Sequence, residues 1–255
     1  MGSGNLKSGI QNPKCFLFVF INSSYSAAMP PPRLDIISIG TLSRNLLWKE
    51  SEIVRTAHAT TTLVRSGKRT VLIDPGLPAP ALAARLFERT GLKPQAIDTV
   101  FLTNSRAAHR AGLGLFTKAK VFIHEVEQRS AREQLERLIE QAPEEDIDRK
   151  YLEKELALIE SFKIAPDEME ENVDLFPLPG YTAGTCGLLI STPLSTALIA
   201  GDAVPSLDHF LAGQVLPDSA DIKQALESLA EVYEIADVIV PGHDNVFVNP
   251  RSQGV

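Results

Sequence analysis

Cysteine is nearly absent from the 255 residues: only Cys15 and Cys186 occur, far apart in the chain. Two thiols cannot build a disulfide framework or a four-thiolate zinc site. Any metal or catalytic chemistry therefore rests on oxygen and nitrogen groups. Long apolar runs are also missing. No stretch approaches the roughly 18 consecutive apolar residues of a spanning helix, which excludes an integral membrane protein. Positive charge is in deficit as well, with 25 Lys and Arg against 32 Asp and Glu and a formal net charge of −7. A chain of this sign repels polyphosphate backbones, and no local Lys/Arg run offsets it, so no nucleic-acid partner is expected. What remains is a chain that is 44% apolar and 22% charged, long enough to bury a core without staples.

Residues 1–28 differ from the rest. Lys7 and Lys14, the apolar run Cys15 to Ile21 and the small residues at 26–28 resemble a short secretory signal. The reading favoured here is a disordered or mis-assigned leader, with Met29 as the start of a single domain spanning 29–255 and a cytoplasmic setting. Export stays open through the signal-like segment.

From Leu34 onward, apolar patterning alternates strands and helices. Leu34 to Ile39, Thr61 to Arg65 and Thr70 to Ile73 read as β, with Ser66-Gly67-Lys68 as a hairpin turn. Ala79, Leu82, Ala83, Leu86 and Phe87 recur at helical spacing before the stop at Gly91 and Pro94. Ile97 to Leu102 and Lys120 to His124 suit buried strands. Glu125 to Phe162 is helix-prone, broken near Pro143, and its charges read as a solvated face. Asp174 to Leu178, Gly187 to Ser191 and Thr196 to Ala200 return to β. An amphipathic helix follows from Ile222 to Ala236, with Asp221 and Gln224 as its expected capping box, and Val238 to Val240 is a last strand. This order predicts an α/β sandwich of two mixed sheets packed face to face with helices outside.

Polar residues gather where these strands end. They stand in the loops Leu72-Ile-Asp74-Pro-Gly76, Thr103-Asn104-Ser105-Arg106-Ala107-Ala108-His109, Pro179-Gly-Tyr181-Thr-Ala-Gly184, Gly201-Asp202 and Pro241-Gly-His243. Each motif alone is weak, but their order and spacing together are specific. From about Leu34 to Val248 the chain resembles the metallo-β-lactamase fold superfamily, particularly its glyoxalase-II-like hydrolase branch. The family pattern has Asp in a Leu-Ile-Asp-x-Gly loop, then Thr-His-x-His-x-Asp-His, Pro-Gly-His-Thr, Gly-Asp and Pro-Gly-His.

Asp74, His109, Asp202 and His243 match that pattern, whereas Asn104, Arg106 and Ala108 replace two histidines and an aspartate, and Tyr181 replaces a further histidine. The resemblance implies that one of the family's two metal positions, the one these replaced histidines would form, is lost. Three ligands of the other persist as His109, Asp202 and His243. Two imidazoles and a carboxylate are sufficient for one zinc with an open position, and serve iron or manganese equally. One reading is thus a mononuclear hydrolase of a small ester, thioester or lactone, in which Arg106 and the Tyr181 hydroxyl bind an anionic substrate or a developing oxyanion. The other is a pseudoenzyme with no metal, a ligand- or partner-binding scaffold in which Arg106 forms an ion pair with Asp202. Asp74 is expected behind the ligands rather than among them. His58 and His124 read as structural and Cys186 as a buried core thiol. Asp208 and His209 follow Asp202 in a loop able to line the pocket, where one of them could replace a lost ligand, and surface placement is the favoured reading.

Overall fold

The computed structural model describes Met1 and residues 31–67, 69–144 and 147–253. The leader, Met29, Cys15 and Lys68 of the hairpin turn lie outside the described residues.

Among the described residues, twelve strands form two six-stranded sheets. The first sheet is ordered β1 (Arg33–Ser38), β2 (Thr61–Ser66), β3 (Arg69–Ile73), β4 (Thr99–Leu102), β5 (Lys120–Ile123) and β6 (Lys163–Ile164). It opens antiparallel through β1, β2 and β3 and continues parallel from β3 to β6. The second sheet runs β12 (Phe247–Val248), β11 (Val238–Pro241), β10 (Thr196–Gly201), β9 (Cys186–Ser191), β8 (Val173–Pro177) and β7 (Glu168–Glu170). Only its β10–β11 pair is parallel.

Strand periodicity divides the core into three layers, because neighbouring residues of a strand face opposite ways. Val64, Val71, Ile73 and Phe101 of the first sheet pack with Val173, Cys186, Leu188, Ile199 and Val240 of the second, filling the space between the sheets. Their neighbours Leu63, Leu72, Val100 and Leu102 turn outward onto Leu82 and Leu86 of α1 (Ala79–Thr90) and Ile159 of α3 (Ile147–Ser161). On the other side, Leu198, Ala200 and Ile239 meet Phe210 of α4 (Leu207–Ala212) and Leu229 and Val232 of α5 (Ile222–Ile235). The predicted sandwich with outer helices is the observed one. Cys186 is a buried free thiol in the middle layer, and burial pushes its pKa up to about 12, as an inert core thiol requires.

Differences from the sequence reading have local causes. The charged stretch forms α2 (Glu125–Gln141) and α3, broken as expected, but Glu127 points inward and is fully buried. Asp221 caps α5 by accepting from the Gln224 N–H, yet its own N–H donates to the Gly180 carbonyl, so the reciprocal half of the capping box does not form. The short strands β6, β7 and β12 went unread because two or three residues carry no measurable period. No helix among the described residues is long and apolar enough to cross a membrane.

Candidate metal centre and cavity

Four of the site loops follow the C-terminal ends of β3, β4, β10 and β11, which form one parallel pair in each sheet. A fifth links β8 to β9 and joins the first sheet directly, the Cys186 N–H donating to the Thr103 carbonyl at 2.9 Å. Parallel strands deliver consecutive loops to the same edge, so residues 74, 109, 202 and 243 converge.

His109 closes a single 3-10 turn, Ala107–His109, and is fully buried. Its Nδ1 lies 3.0 Å from Asp74 Oδ2 and its Nε2 lies 2.7 Å from Asp202 Oδ2. Asp74 adopts a left-handed backbone (φ 49°), and its carboxylate also accepts from the Thr103 N–H at 2.9 Å and the Thr103 hydroxyl at 2.7 Å. Two anions thus face the two ring nitrogens. Burial opposes charge on the imidazole, but Asp202 and then Asp74 outweigh it and hold the His109 pKa at about 10. Burial likewise pushes Asp202 upward, and the charges of His109 and His243 reverse this, holding its carboxyl well below the usual range.

His243 Nδ1 lies 3.1 Å from the Thr41 carbonyl and 3.0 Å from the His58 carbonyl. Carbonyls only accept, so the proton sits on Nδ1 and Nε2 is left facing Asp202 Oδ1 at 2.9 Å. Asp202 Oδ1 is buried without a hydrogen-bond partner of acceptable geometry. One nitrogen from each histidine and one oxygen from Asp202 lie within 4.8 Å of one another, a grouping able to hold a metal ion. The glycine of Pro241-Gly-His243 is required for this approach, since a Cβ on Gly242 would sit 2.6 Å from Asp202 Oδ1.

The substituted positions surround this group. Asn104 is buried, and its Oδ1 accepts from the Arg106 N–H at 3.0 Å. That bond fixes the amide with Nδ2 donating to Asp202 Oδ2 at 2.9 Å, 3.2 Å from His109 Nε2. Arg106 is exposed and makes no ion pair with Asp202, contrary to the metal-free sequence reading. The Nε2 atoms of the two histidines already stand against both oxygens of that carboxylate, and the guanidinium lies instead over the Tyr181 ring, 5.7 Å from its centroid. Tyr181 is half-buried, and burial, followed by the charge of Asp202, keeps its hydroxyl protonated. His109, Asp202, His243, Arg106 and Tyr181 line one cavity of about 400 Å³, together with Arg44, Ala108, His209, Asp218 and an apolar wall that includes Leu42, Ile53 and Leu216.

The sequence reading misses one residue, Glu127, and misplaces a second, His209, for which it favours the surface over the pocket. Glu127 accepts from the Ser105 N–H at 2.8 Å, the Ser105 hydroxyl at 2.7 Å and the Thr182 hydroxyl at 2.5 Å. It ties together the Thr103–His109 and Pro179–Gly184 loops. A Cβ on Gly184 would fall 2.0 Å from the Glu127 nitrogen, so glycine there is what lets the start of α2 come this close. His209 is the second. It is buried and lines the cavity rather than lying on the surface, because residues 207–212 fold into α4 with Ser206 as the N-cap. Asp208 accepts from Trp48 Nε1 at 2.6 Å. His58 and His124 are half-buried outside the ligand group, as expected of structural histidines.

Residues 55–243 match the family model of the metallo-beta-lactamase superfamily. "Metallo-beta-lactamase domain-containing protein 1" of Xenopus laevis is 24% identical over 193 residues, 75% of this chain and 72% of that one. Among solved structures, a metallo-β-lactamase-type protein of Thermotoga maritima superposes with a TM-score of 0.62 at 18% identity, covering 86% of this chain and all of that one. An N-acyl homoserine lactone hydrolase, solved with product at its catalytic metal centre, gives a TM-score of 0.56 at 20% identity over 85% of this chain and 94% of its own. With the ordered strand-end motifs, the double sheet and a family match over most of its length, the chain belongs to the metallo-β-lactamase superfamily.

Proposed function

We propose that this protein is a single-metal hydrolase of a small ester, thioester or lactone, formed by residues 29–255 as one domain in a cytoplasmic setting. One observation carries the reading. Each of two imidazoles has its Nδ1 fixed by an acceptor and its Nε2 set on an oxygen of Asp202, and Asp202 Oδ1 is buried without a hydrogen bond. Nitrogen ligands oriented in this way by groups behind them are a feature of built metal sites. His109, Asp202 and His243 would hold the ion, and zinc, iron and manganese all accept this donor set. A bound zinc supplies Lewis acidity and a water of lowered pKa.

The protein's own groups do the rest. Asp74 and the Thr41 and His58 carbonyls keep the two rings from turning. Arg106, stacked on Tyr181, offers N–H donors to an anionic substrate group or a developing oxyanion, and the protonated Tyr181 hydroxyl is a second donor. The apolar wall of the cavity suits the carbon part of a small molecule, and the net charge of −7 argues against nucleic acid. One structural neighbour, a lactone hydrolase with its ring-opened product N-hexanoyl-L-homoserine at the metal centre, supports the substrate class.

A second reading rests on Asn104, whose Nδ2 occupies acceptor capacity of Asp202 that a metal would need. On this reading the histidines and Asp202 form a metal-free charged cluster, and the cavity binds a small ligand without turning it over. Metal stoichiometry by mass spectrometry decides between the two. The full chain, His109→Ala and His243→Ala receive equal zinc exposure and desalting. About one equivalent in the wild type, lost in both variants, supports the hydrolase reading. Metal-free folded wild type under zinc excess overturns it in favour of the scaffold.

A further inference from the structure

We propose that His209 is the general base and acid of this cavity, a catalytic residue outside the metal ligands. The inference rests on the hydrolase reading above and names the group that moves the proton.

The cavity needs such a group and offers few. The family pattern places an aspartate at position 108, where this chain has alanine. His109, His243 and Asp202 are engaged with one another. Tyr181 is held protonated, the guanidiniums of Arg44 and Arg106 cannot accept a proton, and Asp218 is an exposed residue of the rim. His209 differs from all of these. Its Nδ1 lies 2.7 Å from the Ser206 hydroxyl, while its Nε2 has no hydrogen-bond partner among the described residues and the ring lines the cavity. Burial pushes its pKa down, so the ring is neutral and basic at neutral pH.

Its position relative to the ligands is fixed by backbone bonds. The Gly242 N–H donates to the Val204 carbonyl at 3.0 Å and the His243 N–H to the Pro205 carbonyl at 2.9 Å. The Leu207 N–H, opening α4, donates to Asp244 Oδ2 at 3.2 Å. The His243 loop and the start of α4 are therefore one unit.

In the step proposed, neutral His209 takes a proton at Nε2 from the attacking water as its oxygen bonds to the ester carbonyl carbon. It returns that proton to the leaving oxygen as the carbon–oxygen bond breaks, so ester plus water gives acid plus alcohol with no other reactant. An alkoxide leaving group needs the second transfer and a nitrophenolate does not, which separates a proton carrier from a merely structural histidine.

The test compares ethyl butyrate with 4-nitrophenyl butyrate on zinc-loaded full chain, His209→Gln and His209→Asn. Gln keeps a donor near the Nε2 position and Asn keeps one near Nδ1, but neither carries a proton. Hydrolysis of ethyl butyrate is expected to fall about 100-fold or more, with a loss about tenfold smaller for the nitrophenyl ester, and zinc content equal to wild type. Equal losses on both esters, or none, in variants that retain zinc overturn the role of His209 and leave the hydrolase reading standing. Zinc-loaded wild type that hydrolyses neither ester overturns both.

Discussion

Asp74 Oδ2 stands 3.0 Å from His109 Nδ1, on the opposite side of the ring from Asp202, so one buried imidazole is held between two carboxylates. This relationship orients Nε2 and keeps the ring charged in the metal-free protein. In Asp74→Asn the charge of one flank is lost and the ring is less firmly aimed. Zinc affinity is expected to fall about 10- to 100-fold, as for other changes behind a ligating histidine, measured by competition with a chromophoric chelator.

The same pairing makes the stability of the metal-free protein depend on pH. The His109 pKa is raised from 6.5 unfolded to about 10 folded. The folded state therefore binds the proton more tightly, and the stability this gives is complete below about pH 6.5, declines above it and is gone above about pH 10. Asp202 works in the other direction: its lowered pKa adds stability above the unfolded value of 3.8 that is lost in acid. Urea midpoints of chelator-treated protein are expected to fall between pH 7 and 10, and this fall should be much smaller in His109→Gln.

Glu127 joins two of the site loops by hydrogen bonds. Its carboxylate joins Ser105 to Thr182, the neighbours of Asn104, Arg106 and Tyr181. Glu127→Ala strands these donors in a buried setting and is expected to cost about 2–3 kcal/mol in urea denaturation. The double variant Ser105→Ala/Thr182→Ala removes two of the donors, and adding Glu127→Ala to it should cost less than in the wild type.

Gly242→Ala tests how tightly the loops after β10 and β11, neighbouring strands of the second sheet, approach each other at the site. The new methyl would lie 2.6 Å from Asp202 Oδ1 and 2.9 Å from the Gly201 carbonyl carbon, neither of which is a flexible chain end. Destabilisation of about 1–3 kcal/mol is expected, together with loss of zinc uptake. Gly114→Ala, with nothing within 4 Å of its added Cβ, should match wild-type zinc content.

Strand patterning located β2, β3, β4 and β10, because a short apolar run bounded by turn residues is legible without knowledge of what packs on either side. The meeting of the strand-end loops was equally readable: Asp74, His109, Asp202 and His243 stand in motifs whose order along the chain is itself the signal, and all four converge. The helix Ala79–Thr90 was also visible from its periodicity and its Gly91 stop.

Tertiary structure alone decided the rest. That Arg106 stacks on Tyr181 instead of pairing with Asp202 depends on two histidines, one 93 and the other 41 residues from Asp202, reaching that carboxylate first. That Glu127 is buried in a charged helix depends on Ser105 and Thr182 meeting it from two loops. His209 faces the cavity because Ser206 caps a six-residue helix too short to register as a pattern. Local sequence records periodicity and turn chemistry, which each segment carries by itself. The partner of a charged side chain is chosen by competition among groups brought together from distant segments, and only the folded chain sets their distances.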